Sequence, residues 1–126
     1  MIVYFSYPYA INDGVSQRHA IVQLQKHIGR FKRMNPRLTA VNALMSAYDN
    51  PDLGSKNKVV TDDKMIFSAA RLLLDSSNMH VMIKAKGWEY DEIMKNECGY
   101  SLMYKKIPVI DEDPIDDTVQ PNTPGV

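Results

Sequence analysis

Glu97 is the residue whose setting most demands a chemical explanation. In the segment Gly87-Trp-Glu-Tyr-Asp-Glu-Ile-Met-Lys-Asn-Glu-Cys-Gly-Tyr-Ser101, a helix beginning near Asp91 puts Ile93, Met94, Glu97, Cys98 and Ser101 on one face. That face has to pack, so Glu97 interrupts an apolar stripe. An ionised carboxylate in such a place costs several kcal/mol unless it is paired. Two readings stand side by side. Glu97 sits at the stripe's edge and bonds a neighbouring Tyr, or it is kept for reaction. Asp91 lies six residues earlier, about 600° around a helix, so two mid-helix carboxylates at this spacing would not share a face. As an N-cap, Asp91 would instead fold over the helix end beside the same cleft, although capping alone also accounts for an Asp there.

The segment Ser6-Tyr7-Pro8-Tyr9-Ala10 supplies a hydroxyl and two aromatic rings. The rings could stack on a base or a sugar, or form the edge of the core, and Trp88 has the same two readings. His19, His27 and His80 do not cluster with acidic residues at metal-ligand spacing, so no metal is expected. The Gly-rich dinucleotide and P-loop fingerprints are absent, which disfavours classical dinucleotide and nucleoside-triphosphate chemistry; no cofactor is expected. No Ser-His-Asp elbow is visible.

These residues need elements to position them. Residues 2–6 are apolar and β-rich and read as a buried first strand. Pro8, Asn12, Asp13 and Gly14 form a loop, and Ile21, Leu24, Ile28 and Phe31 then recur at helical spacing over roughly 15–33. Leu38 to Asn42 reads as a second strand. The stretch 43–60 is weakly patterned and reads as a long surface excursion. Thr61 is the expected N-cap of a helix with Asp62 and Asp63 in its first turn and Ile66, Ala69, Ala70 and Leu73 as its stripe. Met79 to Ile83 is the third strand, 91–104 the next helix, and Ile107 to Ile110 the last strand. Alternating strands and helices imply right-handed crossovers and a central parallel sheet. Ligands bind such sheets beyond the carboxyl ends of the strands, where residues 6–14, 42–48 and 84–97 converge.

A chain of 126 residues is one domain, long enough to bury a core without disulfides. The single cysteine, Cys98, excludes an intramolecular disulfide and fits a reducing compartment. The N-terminus lacks the basic region of a signal peptide, and no run approaches the roughly 18 apolar residues of a membrane helix. A cytoplasmic protein without membrane contact is therefore expected. Net charge is zero, yet residues 111–126 carry five acidic side chains and no Lys or Arg. Together with Pro114, Pro121 and Pro124 they read as a mobile tail after a domain spanning 1–110. The basic run Lys26, Arg30, Lys32, Arg33, Arg37 reads as the solvated face of one helix rather than a nucleic-acid surface.

Tyr4-Phe5-Ser6-Tyr7-Pro8-Tyr9, Asn42-Ala43, Gly87-Trp88-Glu89, Glu97-Cys98-Gly99-Tyr100 and Ile107-Pro108-Val109 together resemble the nucleoside 2-deoxyribosyltransferase-like superfamily. That superfamily includes deoxynucleoside-monophosphate N-glycosidases and small relatives common in phages. The resemblance covers nearly all of residues 1–110. It implies a flavodoxin-like, Rossmann-like three-layer α/β sandwich, assembled as a homodimer or larger oligomer, acting on a nucleoside or nucleotide. It implies Glu97 as nucleophile, with Asp91 at the 5′ end of the sugar and Ser6, Tyr7, Tyr9, Asn42 and Trp88 around the substrate. The chain departs from the pattern at Ile93, where hydrolase-like relatives often have Gly, and at Ala70, where an Asp that protonates the leaving base would fall. Asp62 or Asp63 would replace that Asp in a shifted register. The departures favour the alternative of a catalytically silent module that binds or sequesters a nucleotide-like ligand.

Overall fold

The computed structural model describes residues 1–49 and 59–115. Four strands, β1 (Ile2–Ser6), β2 (Thr39–Val41), β3 (Met79–Ile83) and β4 (Val109–Glu112), form one sheet in the order β2-β1-β3-β4, and every neighbouring pair is parallel. Helices α1 (Gly14–Met34), α2 (Ala43–Asp49), α3 (Asp63–Asp75) and α4 (Glu92–Gly99) fill the crossovers. The parallel sheet is the one expected from the alternation of elements, and the whole is a flavodoxin-like three-layer α/β fold.

Strand register decides which side chains meet which helix. Tyr4 pairs with His80 and Ser6 with Met82, so these four share one face of the sheet, while Val3, Phe5, Val81 and Ile83 share the other. On the second face Phe5 meets Phe31 of α1 edge to face, with ring centroids 5.3 Å apart. Val3, Phe5, Val81 and Ile83 are fully enclosed there, as are Ala20 and Leu24 of α1. Full burial of such side chains is worth about 1.5–3 kcal/mol each relative to exposure. The first face receives α4, which carries Glu97 down onto Tyr4 and Ser6.

The first and third strands coincide with the expected spans, and α1 agrees within a residue at each end. Four expectations need correction. The excursion expected over 43–60 begins as α2: Asn42 accepts the Met45 N–H at 2.9 Å, and Ala43, Leu44 and Tyr48 are buried. Residues 50–58 of that stretch lie outside the described residues. The cap of α3 is Asp62 rather than Thr61, its carboxylate accepting the Lys64 N–H. The helix expected over 91–104 is regular only to Gly99 and continues as a π-helical turn over Tyr100–Lys105, which Lys106 ends in the left-handed region at φ 53°. The last strand is displaced two residues and includes Asp111 and Glu112, because an edge strand tolerates charge; Lys84 meets Asp111 at 2.7 Å. The sheet thus runs past residue 110, and the Ile115 N–H donates to His27 Nε2 at 3.2 Å. Residues 116–126 of the expected tail lie outside the described residues. No helix among the described residues is long and apolar enough to cross a membrane.

Candidate active site

The site is assembled where β1 ends. β1 points Tyr4 and Ser6 toward α4, and Gly87, at φ 94°, opens a 3-10 turn over Trp88–Tyr90 that leads through Asp91 into α4. Asp91 caps α4: one carboxylate oxygen accepts the Met94 N–H at 2.9 Å, and the other accepts the Tyr9 N–H at 3.0 Å. The N-cap is therefore also the latch that holds the β1–α1 loop over the helix end. Two turns further on, Glu97 points inward and is only 3 % exposed.

Both Glu97 oxygens accept hydrogen bonds. Ser6 Oγ donates to Oε1 at 2.8 Å, and the Tyr4 hydroxyl donates to Oε2. The same Tyr4 oxygen accepts the Ala43 N–H at 3.1 Å, so the first amide of α2 backs up the donor. Behind Ser6 lies His80, with Nε2 2.6 Å from Ser6 Oγ and Nδ1 2.7 Å from Ser101 Oγ. The Tyr4 ring stands edge-on to the imidazole at 5.4 Å.

Burial dominates the electrostatics. It pushes the Glu97 carboxyl up to about 7; the Tyr4 and Ser6 hydrogen bonds oppose it and the Asp91 charge adds to it. Burial also raises the Asp91 carboxyl, against the backbone N–H donors of Met94 and Ile93 at the helix start and of Tyr9 in the β1–α1 loop, which favour its charge. Burial pushes His80 down to about 4 by stripping the hydration of its cation. The Tyr4 and Tyr9 phenols lie far above their ordinary range, first through burial and then through the Glu97 charge. Tyr9 adds one further feature. Its hydroxyl is buried and has no hydrogen-bond partner among the described residues, while Glu97 and Asp91 are the charges that act on it most.

The structure thus brings together Glu97, Asp91, Ser6 and Tyr9. It uses Asn42 differently: Nδ2 donates to the Phe5 carbonyl at 2.7 Å and Oδ1 caps α2, which aims the Ala43 N–H at Tyr4. Tyr7 turns to α1, its hydroxyl 3.5 Å from His19 Nε2. Trp88 packs beneath the Lys84 ammonium, 4.4 Å from the ring centroid, on a hollow of about 280 Å³ that also includes Met82, Met94, Cys98 and Met103. A second hollow, about 350 Å³, lies between α2 and α3; it is apolar and its lining includes Ala43 but not Glu97. Ala70 is buried in α3, and Asp91, not Asp62 or Asp63, is the acidic group whose charge acts on Glu97. Sequence reasoning missed Tyr4, His80 and Ser101 as parts of the site. Strand alternation carried the signal for two of them, since Tyr4 and Ser6 share parity in β1 and a histidine in the apolar strand Met79–Ile83 needs partners. Among the described residues no cluster of His, Cys, Asp and Glu could hold a metal ion.

Fold and site define an α/β protein of flavodoxin-like topology with a buried, hydroxyl-held carboxylate at the carboxyl end of its sheet. In comparisons with known proteins, no family model, curated protein or solved structure matches the chain.

Proposed function

We propose that the chain cleaves or exchanges the N-glycosidic bond of a (deoxy)nucleoside or nucleotide, with Glu97 as the nucleophile. The observation that carries this reading is a buried carboxylate that two hydroxyl donors hold near the carboxyl-end rim of a parallel sheet, where burial pushes it up to about 7. Groups placed and perturbed in this way cluster at reactive sites. Each Glu97 oxygen accepts one side-chain hydrogen bond and so keeps a lone pair. In the reaction one such pair bonds the anomeric carbon as the C–N bond breaks. The bonding electrons leave with the base, which takes up a proton. Water, or the nitrogen of a second base, then attacks the same carbon, expels the carboxylate and gives up its proton. The negative charge of Glu97 meets the positive charge that develops on the sugar in both steps. Asp91 is the acceptor for a free 5′-hydroxyl, and the unpartnered Tyr9 hydroxyl is a donor for the substrate. A homodimer belongs to the same proposal, with the exposed Leu102, Met103 and Tyr104 beside α4 as the surface to be covered.

A second reading has its own observation. Ala70 offers no acid for the leaving base, and a missing general acid lowers rates by about 10²–10⁴-fold. On that reading the domain binds or sequesters a nucleotide-like ligand without turning it over. The experiment is incubation with a panel of nucleosides and 5′-monophosphates, followed by chromatography for free base, with Glu97→Gln alongside. Base release by wild type and none by Glu97→Gln is the expected result. Equal release by both removes Glu97 as nucleophile, and binding without release by wild type establishes the silent module.

A further inference from the structure

The hydrogen-bond chain behind Glu97 has more members than a nucleophile needs, and its donors and acceptors can be counted. Ser6 Oγ lies 2.8 Å from Glu97 Oε1 and 2.6 Å from His80 Nε2, and it has one proton to give. An ionised carboxylate can only accept, so that proton goes to Glu97 and Ser6 must accept from His80. Nε2 then carries the imidazole's single proton. Nδ1 is bare and accepts from the Ser101 hydroxyl at 2.7 Å. The order Ser101 to His80 to Ser6 to Glu97 is therefore fully directed. It links the π-helical turn after α4, β3, β1 and α4 itself, and all four side chains are buried. Placing the proton on Glu97 Oε1 reverses each step: Oε1 donates to Ser6, Ser6 to Nε2, and Nδ1–H to Ser101. The assembly gains one proton, held by Glu97, and the imidazole remains neutral with its proton on the other nitrogen.

We propose that His80 is a positioning residue for Glu97: the carboxylate, acting through Ser6, selects its Nε2–H tautomer, Ser101 satisfies the bare Nδ1, that tautomer keeps the Ser6 hydroxyl aimed at the carboxylate, and the tautomer switches when Glu97 is protonated. The inference rests on the reading of Glu97 as the nucleophile for its functional meaning, but not for its geometry. The ionisable groups facing the carboxylate are Tyr4 from β1, His80 from β3, Tyr9 from the β1–α1 loop and Asp91 at the start of α4. Facing His80 are the Tyr4 ring, Ser6 and Ser101, and burial keeps its imidazole neutral throughout the range in which Glu97 titrates. A donor that is itself polarised by a donor bonds more strongly, so loss of His80 weakens the Ser6 bond to the carboxylate without touching Glu97.

The test uses the intact protein and no substrate. Long-range proton–nitrogen NMR on protein labelled with ¹⁵N-histidine reads the His80 tautomer, and carboxyl ¹³C shifts, assigned through Glu97→Gln, read the Glu97 midpoint. The expected result is the Nε2–H form above that midpoint and the Nδ1–H form below it. In His80→Met the Glu97 midpoint should rise by about half a pH unit. It should return toward wild type in His80→Gln, whose amide offers one donating and one accepting end. Ser101→Ala touches only the far end of the chain; it should leave the Nε2–H form in place above the midpoint while raising that midpoint by less than His80→Met does, and it serves as the second variant should His80→Met fail to fold. Nδ1–H as the main form above the midpoint, a tautomer indifferent to Glu97, or a midpoint unmoved in His80→Met would each overturn the proposal. Base release supplies an independent arm, its acid limb moving up in His80→Met. A silent substrate panel with the NMR results as expected would defeat the glycosidic reading and leave the His80 assignment standing.

Discussion

The Tyr9 N–H donates to Asp91 Oδ2 at 3.0 Å, while Asp91 Oδ1 accepts from the first turn of α4. One side chain therefore joins the loop after β1 to the helix that carries Glu97, and a ligand that engages Asp91 has to share it with both.

The first prediction follows from that sharing. A carboxylate at Asp91 can accept from a 5′-hydroxyl but repels a 5′-phosphate, which carries nearly two negative charges at neutral pH. At an effective dielectric near 20 one such pair at ~4 Å costs about 4 kcal/mol, and half of that is already more than tenfold in preference. Wild type should prefer a nucleoside to its 5′-monophosphate, and Asp91→Ser should shift toward the monophosphate while keeping its helix, because Ser is also a good N-cap. Competition kinetics between the two substrates decide this; a wild type that favours the monophosphate removes the assigned role of Asp91.

Tyr9→Phe separates stability from binding. The Tyr9 hydroxyl is buried without a partner among the described residues, and such a group carries a desolvation penalty of about 1–3 kcal/mol. Removing it should leave thermal stability unchanged or raise it by a few degrees, and should weaken ligand binding about tenfold. Thermal unfolding and ligand titration on the same variant measure both; tighter binding with lower stability would show that the hydroxyl serves the fold.

Glu97 gives the chain a stability that falls as pH rises. Its folded value of about 7 lies above the reference 4.5, so between these values the folded state binds more protons than the unfolded one. Stability from this group is fully present below about 4.5 and is lost as pH rises through about 7. The ionised carboxylate then costs roughly 3 kcal/mol, less whatever Gln loses in the hydrogen bonds. Glu97→Gln should therefore gain stability over wild type progressively across this window and level off above it. Urea unfolding at a series of pH values reads the difference, and a constant difference would mean that Glu97 does not titrate there. Wild-type base release should increase over the same window, since only the carboxylate attacks.

Assembly has a simple measurement. Leu102, Met103 and Tyr104 are each more than half exposed on the turn after α4, and Met103 is 73 % exposed. Light scattering should give at least twice the monomer mass at micromolar concentration, and Met103→Glu should lower it. A strict monomer for wild type would remove the homodimer.

The parts of the fold legible in the sequence were those with one dominant pattern. Buried strands β1 and β3 are continuous apolar runs, and α1 is long enough for its stripe to repeat. Helix α2 is not legible because seven residues hold barely two turns, and its cap, Asn42, reads as the end of the second strand. β4 slid by two residues because Asp111 and Glu112 look like the start of an acidic tail, although they lie on a sheet edge where charge is harmless. Glu97 stood out because a carboxylate in an apolar stripe is a local contradiction. His80 did not, because its partners Ser6 and Ser101 are 74 and 21 residues away and only the strand register brings them together.

The position of β1 has a consequence for how the chain comes into being. Its first strand is the interior strand that pairs with both β2 and β3, through Ile2 with Thr39 and Val3 with Met79. During synthesis Ile2–Ser6 emerges before the other three strands, yet one of its edges stays bare until the ribosome has delivered β2 and the other until it has delivered β3. Tyr4 and Ser6 meanwhile have neither His80 nor Glu97 to bond. Nascent chains halted before Met79 should therefore bind chaperones and resist compaction, whereas chains in which β4 has cleared the exit tunnel should close quickly. Such late closure is the kinetic signature of a sheet built almost wholly from contacts distant in sequence.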